Sequence, residues 1–369
     1  MARGTLVSER WTLPEDPDAL FRFVESQGWG DGLPVLPPTE ARVQAMLDAT
    51  PRAPSESVAR IEPRRGDATV EKIAVNAVLA GCAPETFPAV LAAVEAVAQS
   101  EFNLYALNTT TCSATPAVMI NGPARRELGI ECGYSCLGHN GRANATIGRA
   151  LRLVMRNVGG SIPGAVSKSC FGQPGRISLC FGEWEERSPW EPFHVRRGFD
   201  AKQSVITVTC ATGTQDVADV WANSGADLVE VLAHGIDWIG NNKVLVPQDR
   251  GDMLLLLCPD FAHKIARDGL SIPDVQQILF DKTRTPVERW PKAYWPTLEE
   301  RGYIESDGTV PLAARPDQFL IAVAGGESGH HALYFCTFGL TWTVSRSFEN
   351  RPALGDDGEV CELPGTGAA

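Results

Sequence analysis

One plan of residues occurs twice in this chain and limits the fold more than any other feature. Val118-Met-Ile-Asn-Gly-Pro123-Ala-Arg-Arg-Glu-Leu-Gly129 reads as a strand, a proline at the first helical position and a helix closed by glycine. Leu255-Leu-Leu-Cys-Pro259 followed by Asp260 to Gly269 repeats it. Proline just inside a helix start and glycine just past its end is the asymmetry that helix termini favour. The flanks agree. Helices are expected upstream over 70–83 and 86–99 in one copy and over 216–234 in the other, and downstream over 143–158 and 272–280. Each copy then closes with a strand that runs into a polar loop, Ile177 to Glu183 and Leu320 to Glu327. The expected class is therefore α/β: two pseudo-repeated α/β units related by internal duplication, with an irregular N-terminal segment. The boundaries fall at 1–60 for that segment, 61–200 and 201–350 for the units, and 351–369 for a C-terminal tail. A cleft between two such units is a common place for a ligand.

Composition narrows the function classes. With 369 residues, 44% hydrophobic and 21% charged, the chain is globular and long enough for two structural units. A net charge of -12 argues against binding nucleic acid or an anionic membrane through a basic face. No apolar run approaches the roughly 20 residues a membrane span needs; the longest is Met253 to Cys258, of strand length. The N-terminus lacks the apolar core of a signal peptide. The ten cysteines are scattered, several inside apolar runs, and read as reduced thiols of a cytoplasmic protein.

Within the first 60 residues, helices are expected over 16–27 and, capped by Thr39, up to Leu47. Between them Gly28-Trp-Gly-Asp-Gly-Leu-Pro34 is either a turn pinned by a buried tryptophan or part of a site.

The densest chemistry lies between Cys132 and Arg149. Cys136 and His139 make the best nucleophile–base pair in the sequence, because imidazole, guanidinium and a helix N-terminus each lower a thiol pKa. Cys112, after Asn108-Thr-Thr-Thr111, and Cys170, beside Lys168, are further candidate thiols. Arg142 and Arg149, near the start of the following helix, suit a substrate anion, with Asn144 and Asn121 beside them. Arg152 and Arg156 read as a solvated or acid-paired face. A metal reading competes: Cys132, Cys136 and His139 are three ligands for zinc or iron. The default expectation is no cofactor. Glu183 leaves a buried-type strand, where a carboxylate is costly unless paired or used. Glu183 or Glu186 would serve as general base or as partner of an arginine, and His194 reads as a surface or capping histidine. In the second copy, Gly325-Gly-Glu-Ser328-Gly-His330-His331 exposes backbone N–H groups, with Ser328 and His330 as candidate binding residues. No phosphate-loop lysine motif supports nucleotide binding.

Several segments together resemble a poorly characterised bacterial family associated with the UGSC (Sec/Cys-Gly-Ser-Cys) thiol or selenol proteins. They are Phe23 to Val35, Ala68 to Cys82, Arg142-Ala-Asn-Ala-Thr-Ile-Gly-Arg149, Ser188-Pro-Trp-Glu-Pro-Phe-His194-Val and Ile321-Ala-Val-Ala-Gly-Gly326. The resemblance covers nearly the whole chain and implies little about activity. The chain has no Cys-Gly-Ser-Cys, so any such partner is a separate protein. Cys112-Ser113 stands where the family pattern often has histidine and proline, and Cys132 where cysteine is unusual.

The functional expectation is a cytoplasmic cysteine-dependent enzyme that cleaves or forms a carbon–heteroatom bond in a small anionic substrate. The reaction class (lyase, hydrolase or thiol oxidoreductase) is open, as is a homo-oligomeric state. Two alternatives stand beside it: a metal-dependent lyase or hydrolase at the Cys/His site, and a non-catalytic subunit that presents a ligand within a thiol or selenol protein system.

Overall fold

In the computed structural model, which describes residues 6–138, 141–245 and 249–350, two four-stranded sheets lie face to face between layers of helices. The chain opens with α1 (Pro17–Ser26), α2 (Glu40–Asp48) and the hairpin β1 (Ser57–Ile61) and β2 (Gly66–Thr69). Three helices follow, α3 (Val70–Ala80), α4 (Phe87–Val97) and α5 (Leu104–Thr109). Next come β3 (Thr115–Asn121), α6 (Pro123–Glu127), α7 (Arg142–Asn157), β4 (Cys180–Gly182), α8 (Phe193–Arg196), β5 (Ser204–Ala211) and β6 (Gly213–Ala218). The second half holds α9 (Gly225–Ile236), β7 (Met253–Leu257), α10 (Pro259–Arg267), α11 (Ile272–Lys282) and β8 (Arg284–Pro286). It ends with α12 (Trp295–Glu300), β9 (Thr309–Pro311), β10 (Phe319–Val323), β11 (His331–Cys336) and β12 (Val344–Phe348). The tail over 351–369 lies outside the described residues.

The two sheets have the same plan. One runs β4-β3-β5-β12 and the other β10-β7-β11-β6. In each, the first pair is parallel and the next two pairings are antiparallel. The outer strands cross over: β6 follows β5 in the chain yet pairs with β11, and β12 follows β11 yet pairs with β5. The first sheet therefore draws strands from both sides of residue 200.

Side-chain alternation explains why the strands read as unbroken apolar runs. Along β3, Val118 and Ile120 face the helices α3, α4 and α7, while Ala117 and Met119 face the other sheet. Along β7, Leu255 and Leu257 face α9, α10 and α11, and Leu254 and Leu256 face back. Between the sheets the rings of Phe181 and Phe335 stack with centroids 5.8 Å apart.

Most expected elements are present within a few residues of their ends. The expected helix over 216–234 is different. Its first part is strand β6, and α9 starts only at Gly225, behind a Ser224 cap. Pairing with β11 is a non-local gain that local sequence does not show. β4 is also shorter than expected, because residues 174–176 form a 3₁₀ turn. Among the described residues no helix is long and apolar enough to cross a membrane.

The loop 28–38 is pinned by an arginine rather than by its tryptophan alone. Arg149 donates from Nε and Nη2 to both oxygens of Asp31, at 2.8 and 2.7 Å, and to the carbonyls of Leu33 and Pro34. Burial by itself would raise Asp31, but the Arg149 bonds and charge outweigh it and hold the carboxyl below the ordinary range.

Candidate functional site

The carboxyl ends of the parallel strands of both sheets meet, which is where open α/β sheets place their sites. The Trp184 N–H donates to Val323 O at 2.7 Å and the Gly325 N–H to Cys132 O at 2.8 Å, joining the loop after β4 and the loop after α6 to the end of β10. Asn121 ends β3 and Glu183 follows β4, and both are fully buried. Glycine is required at 122. Its φ is +77°, and a Cβ there would stand 2.1 Å from Gln203 O.

These positions assemble a buried polar cluster. Asn121 Nδ2 donates to Glu183 Oε2 at 2.6 Å and to Glu185 Oε1 at 3.0 Å. The backbone N–H of Phe193 donates to Glu183 Oε2 at 2.7 Å, and that of Gly122 to Glu185 Oε1 at 2.7 Å. Arg196 Nη2 lies 3.9 Å from Glu183 Oε1 and donates to Ile321 O at 2.6 Å. Burial drives the Glu183 carboxyl up, against the Arg196 charge and the two donors, to a pKa of about 7. Among the described residues Glu183 Oε1, Asn121 Oδ1 and both ring nitrogens of His194 have no hydrogen-bond partner. His194 is itself fully buried, with Nδ1 3.8 Å from Glu185 Oε1, rather than the surface or capping residue its sequence context suggests.

A thiol and an arginine cluster line the other side of the β4 end. Arg125 Nη1 donates to Cys132 Sγ at 3.3 Å. Arg125 and Arg126 both bond Glu186 Oε1. Burial raises the Cys132 thiol, and the Arg125 charge only partly offsets that. Cys136 sits in the inter-sheet core, and burial pushes its thiol to about 11. At neutral pH both are thiols rather than thiolates, and Cys132 is the one with a cation beside it.

The remaining sequence candidates are spread more widely. Cys112 is half-buried near the start of β3, at the opposite end of that strand from Asn121; its Sγ accepts from Asn242 Nδ2 at 3.3 Å and burial raises it. Cys170 is exposed on a nearby loop, its N–H bonded to Thr111 O. His139 lies outside the described residues. Arg142 Nε donates to the carbonyl of Gly81 at the end of α3. Asn144 holds the 131–136 loop, accepting from Glu131 N and donating to the carbonyls of Glu131 and Cys136. Arg149 is committed to Asp31, so these three residues are engaged by the protein itself. Ser328 lines a cleft of about 840 Å³ with Arg187, Asp260, His263, Arg267 and Glu327. His330 is exposed, and its carbonyl accepts from Asp219 N. The structure thus brings Asn121, Glu183 and Glu186 together near Cys132, and adds Glu185, His194, Arg125 and Arg196, which sequence reasoning did not select. Of these only Glu185 had a visible signal, lying two residues from Glu183 on the same polar loop.

Among the described residues no group of three or more His, Cys, Asp or Glu side chains is placed to hold a metal ion. The chain matches no protein-family model and no curated protein, so the resemblance drawn from its sequence rests on the quoted segments alone.

Proposed function

We propose that the protein is an enzyme that makes or breaks a carbon–heteroatom bond in a small anionic substrate where the strand ends of the two sheets meet, with Glu183 moving the proton. The observation that carries this is the carboxyl itself: fully buried, one oxygen held by two donors, the other near the Arg196 guanidinium but without a hydrogen bond among the described residues, and titrating at about 7. A carboxyl with that midpoint is an efficient proton donor and acceptor at neutral pH. As the bond breaks, Glu183 gives its proton to the departing heteroatom and regains one from the group that replaces it. Cys132, beside Arg125, is the thiol best placed to be that group, ahead of Cys136, Cys112 and Cys170; water then displaces the Cys132 sulfur from the carbon and its proton returns to the thiol, which frees the product and restores the enzyme. Arg126 and Arg187, exposed on the rim and paired there with Glu186 and Glu327, suit the substrate's negative charge in exchange for those surface pairs.

The shared sheet plan supports reading the molecule as two copies of one α/β unit that exchange their last strands. Nine free cysteines among the described residues suit a reducing compartment such as the cytoplasm. One observation favours a second reading, exchange with a separate thiol or selenol protein: Cys170 is exposed and its neighbour Phe171 is 97% exposed.

The test is a panel of small carboxylic and phosphorylated acids, followed for release of ammonia, thiol or alcohol. The expected result is turnover that E183Q loses by about 10²-fold or more and that C132S loses but C136S keeps. Full turnover in E183Q sinks the proposal.

A further inference from the structure

The sequence leads one to expect Arg152 and Arg156 on a solvated or acid-paired face. Arg152 is instead partly buried against the loop that precedes β4, and no acid meets it. Its Nε donates to Arg176 O at 3.2 Å, and among the described residues its only other hydrogen bond is Nη1 to Met155 Sδ at 3.8 Å. Arg176 in turn donates from Nη2 to Ser167 Oγ at 2.9 Å. Among the described residues no carboxylate lies within 4.0 Å of either guanidinium, although 17 other ion pairs form. The charged groups that face them are each other and Arg156, with the Cys112 thiol beside Arg176. Burial lowers both arginines; at Arg152 the like charges of Arg176 and Arg156 add to it and bring the group to about 9, so Arg152 still carries its charge at neutral pH.

Two guanidiniums taken partly out of water with no counter-charge are costly. Arginine's planar fork is suited to carboxylate and phosphate oxygens. The surrounding loops supply neutral donors. Residues 159–167 double back, with the N–H groups of Val166 and Ser167 both donating to Ile162 O. Within that loop Ser161 is 1% exposed, and its hydroxyl has no hydrogen-bond partner among the described residues. The next loop is fixed against the Cys112 segment, through Cys170 N to Thr111 O at 2.9 Å and Gln173 Nε2 to Ser113 O at 3.0 Å.

We infer that Arg152 and Arg176, with Ser167, form a binding site for the carboxylate or phosphate group of a small molecule, next to the Cys112 thiol. The site is separate from Glu183. β3 lies between them, and seven extended residues span roughly 20 Å.

The test is calorimetry and thermal melting of the full chain with inorganic phosphate and, separately, with succinate. Wild type is expected to bind at least one of the two and to melt higher in its presence. R176Q is expected to weaken that binding at least tenfold. R152M is expected to melt higher than wild type in anion-free buffer, because it removes an uncompensated charge, and to lose the response to anion. A response to phosphate alone assigns a phosphate group, and a response to succinate alone assigns a carboxylate. E183Q should keep full binding, which separates this inference from the enzyme proposal. If neither anion binds, or if R152M and R176Q bind as tightly as wild type, the inference is wrong. Should R176Q fail to fold, R152M decides alone.

Discussion

At the scale of single residues, Glu183 and Arg149 are opposite uses of a buried charge. Arg149 meets Asp31 through two bonds and satisfies two further carbonyls, so its charge is compensated. Removing one partner of such a pair strands the other, which costs about 3–5 kcal/mol. R149A should lose that much in denaturant unfolding, and limited proteolysis should then cut between residues 28 and 38. R149K should recover little, since an ammonium cannot bind both oxygens and both carbonyls at once. Glu183 is undercompensated. Its folded midpoint of about 7 lies above the ordinary 4.5, so the folded state holds a proton that the unfolded state releases. Its contribution is fully present below pH 4.5 and is lost as pH rises through 7. Across that window wild type should lose about 3 kcal/mol from this group, at about 1.4 kcal/mol per unit. E183Q keeps an acceptor for Asn121 and the Phe193 N–H but cannot ionise. Its unfolding free energy should therefore lack that decline between pH 5 and 7.5, and an unchanged slope in E183Q would move the titration to another group.

At the scale of elements, α7 shows how a local rule can be reversed by packing. Gly148 lies inside this helix, where replacing glycine by alanine ordinarily gains about 1 kcal/mol. A Cβ at 148 would stand 2.5 Å from Ser178 Oγ and 2.8 Å from the Leu179 backbone N, just before β4. The serine side chain can turn away, but the backbone cannot. G148A should therefore be destabilised by about 1–3 kcal/mol, read as a shift of the denaturation midpoint, and a more stable G148A would show that this approach relaxes freely. The same contrast explains what the sequence disclosed. Val118 to Gly129 and Leu255 to Gly269 declare their strands and helices because apolar runs, first-turn prolines and closing glycines are local signals. β6 did not, because Thr214, Gln215 and Asp216 are exposed residues that become a strand only by pairing with β11. At the site, Glu183 was legible as a carboxylate leaving an apolar strand. Arg125 was not, since nothing local says that Glu186, 61 residues on, will meet it, and nothing local marks His194 as buried. Arg142 and Arg149 looked like anion ligands for a related reason: their partners, Gly81 and Asp31, are remote in sequence.

At the scale of the whole molecule, the crossing strands tie the two sheets together in a way that a boundary near residue 200 does not capture. β12 ends the described chain, yet it completes the first sheet, with Val344 and Phe348 packed on the first helical core. A chain stopped at Thr343 keeps the Thr343 bonds to Asp252 but leaves β5 as an open edge. An edge strand loses its ladder on one side and exchanges its amide hydrogens by local opening rather than by global unfolding. Hydrogen exchange on the truncated protein should therefore quicken across Ser204–Ala211, in the first sheet. β10 and β11, the strands before the cut in sequence but in the other sheet, should keep their protection. If the loss appeared in the second sheet instead, β12 would belong to the half it follows in the chain, and the strand exchange would be wrong. The expected pattern would also bear on the site, because β5 supports β3 along its whole length and β3 carries Asn121 to Glu183. A loosened β5 should move the Glu183 midpoint toward that of an exposed carboxyl, so the truncated protein should lose part of the wild-type stability slope between pH 5 and 7.5. That would connect a strand at the end of the chain to the protonation of a carboxyl in its middle.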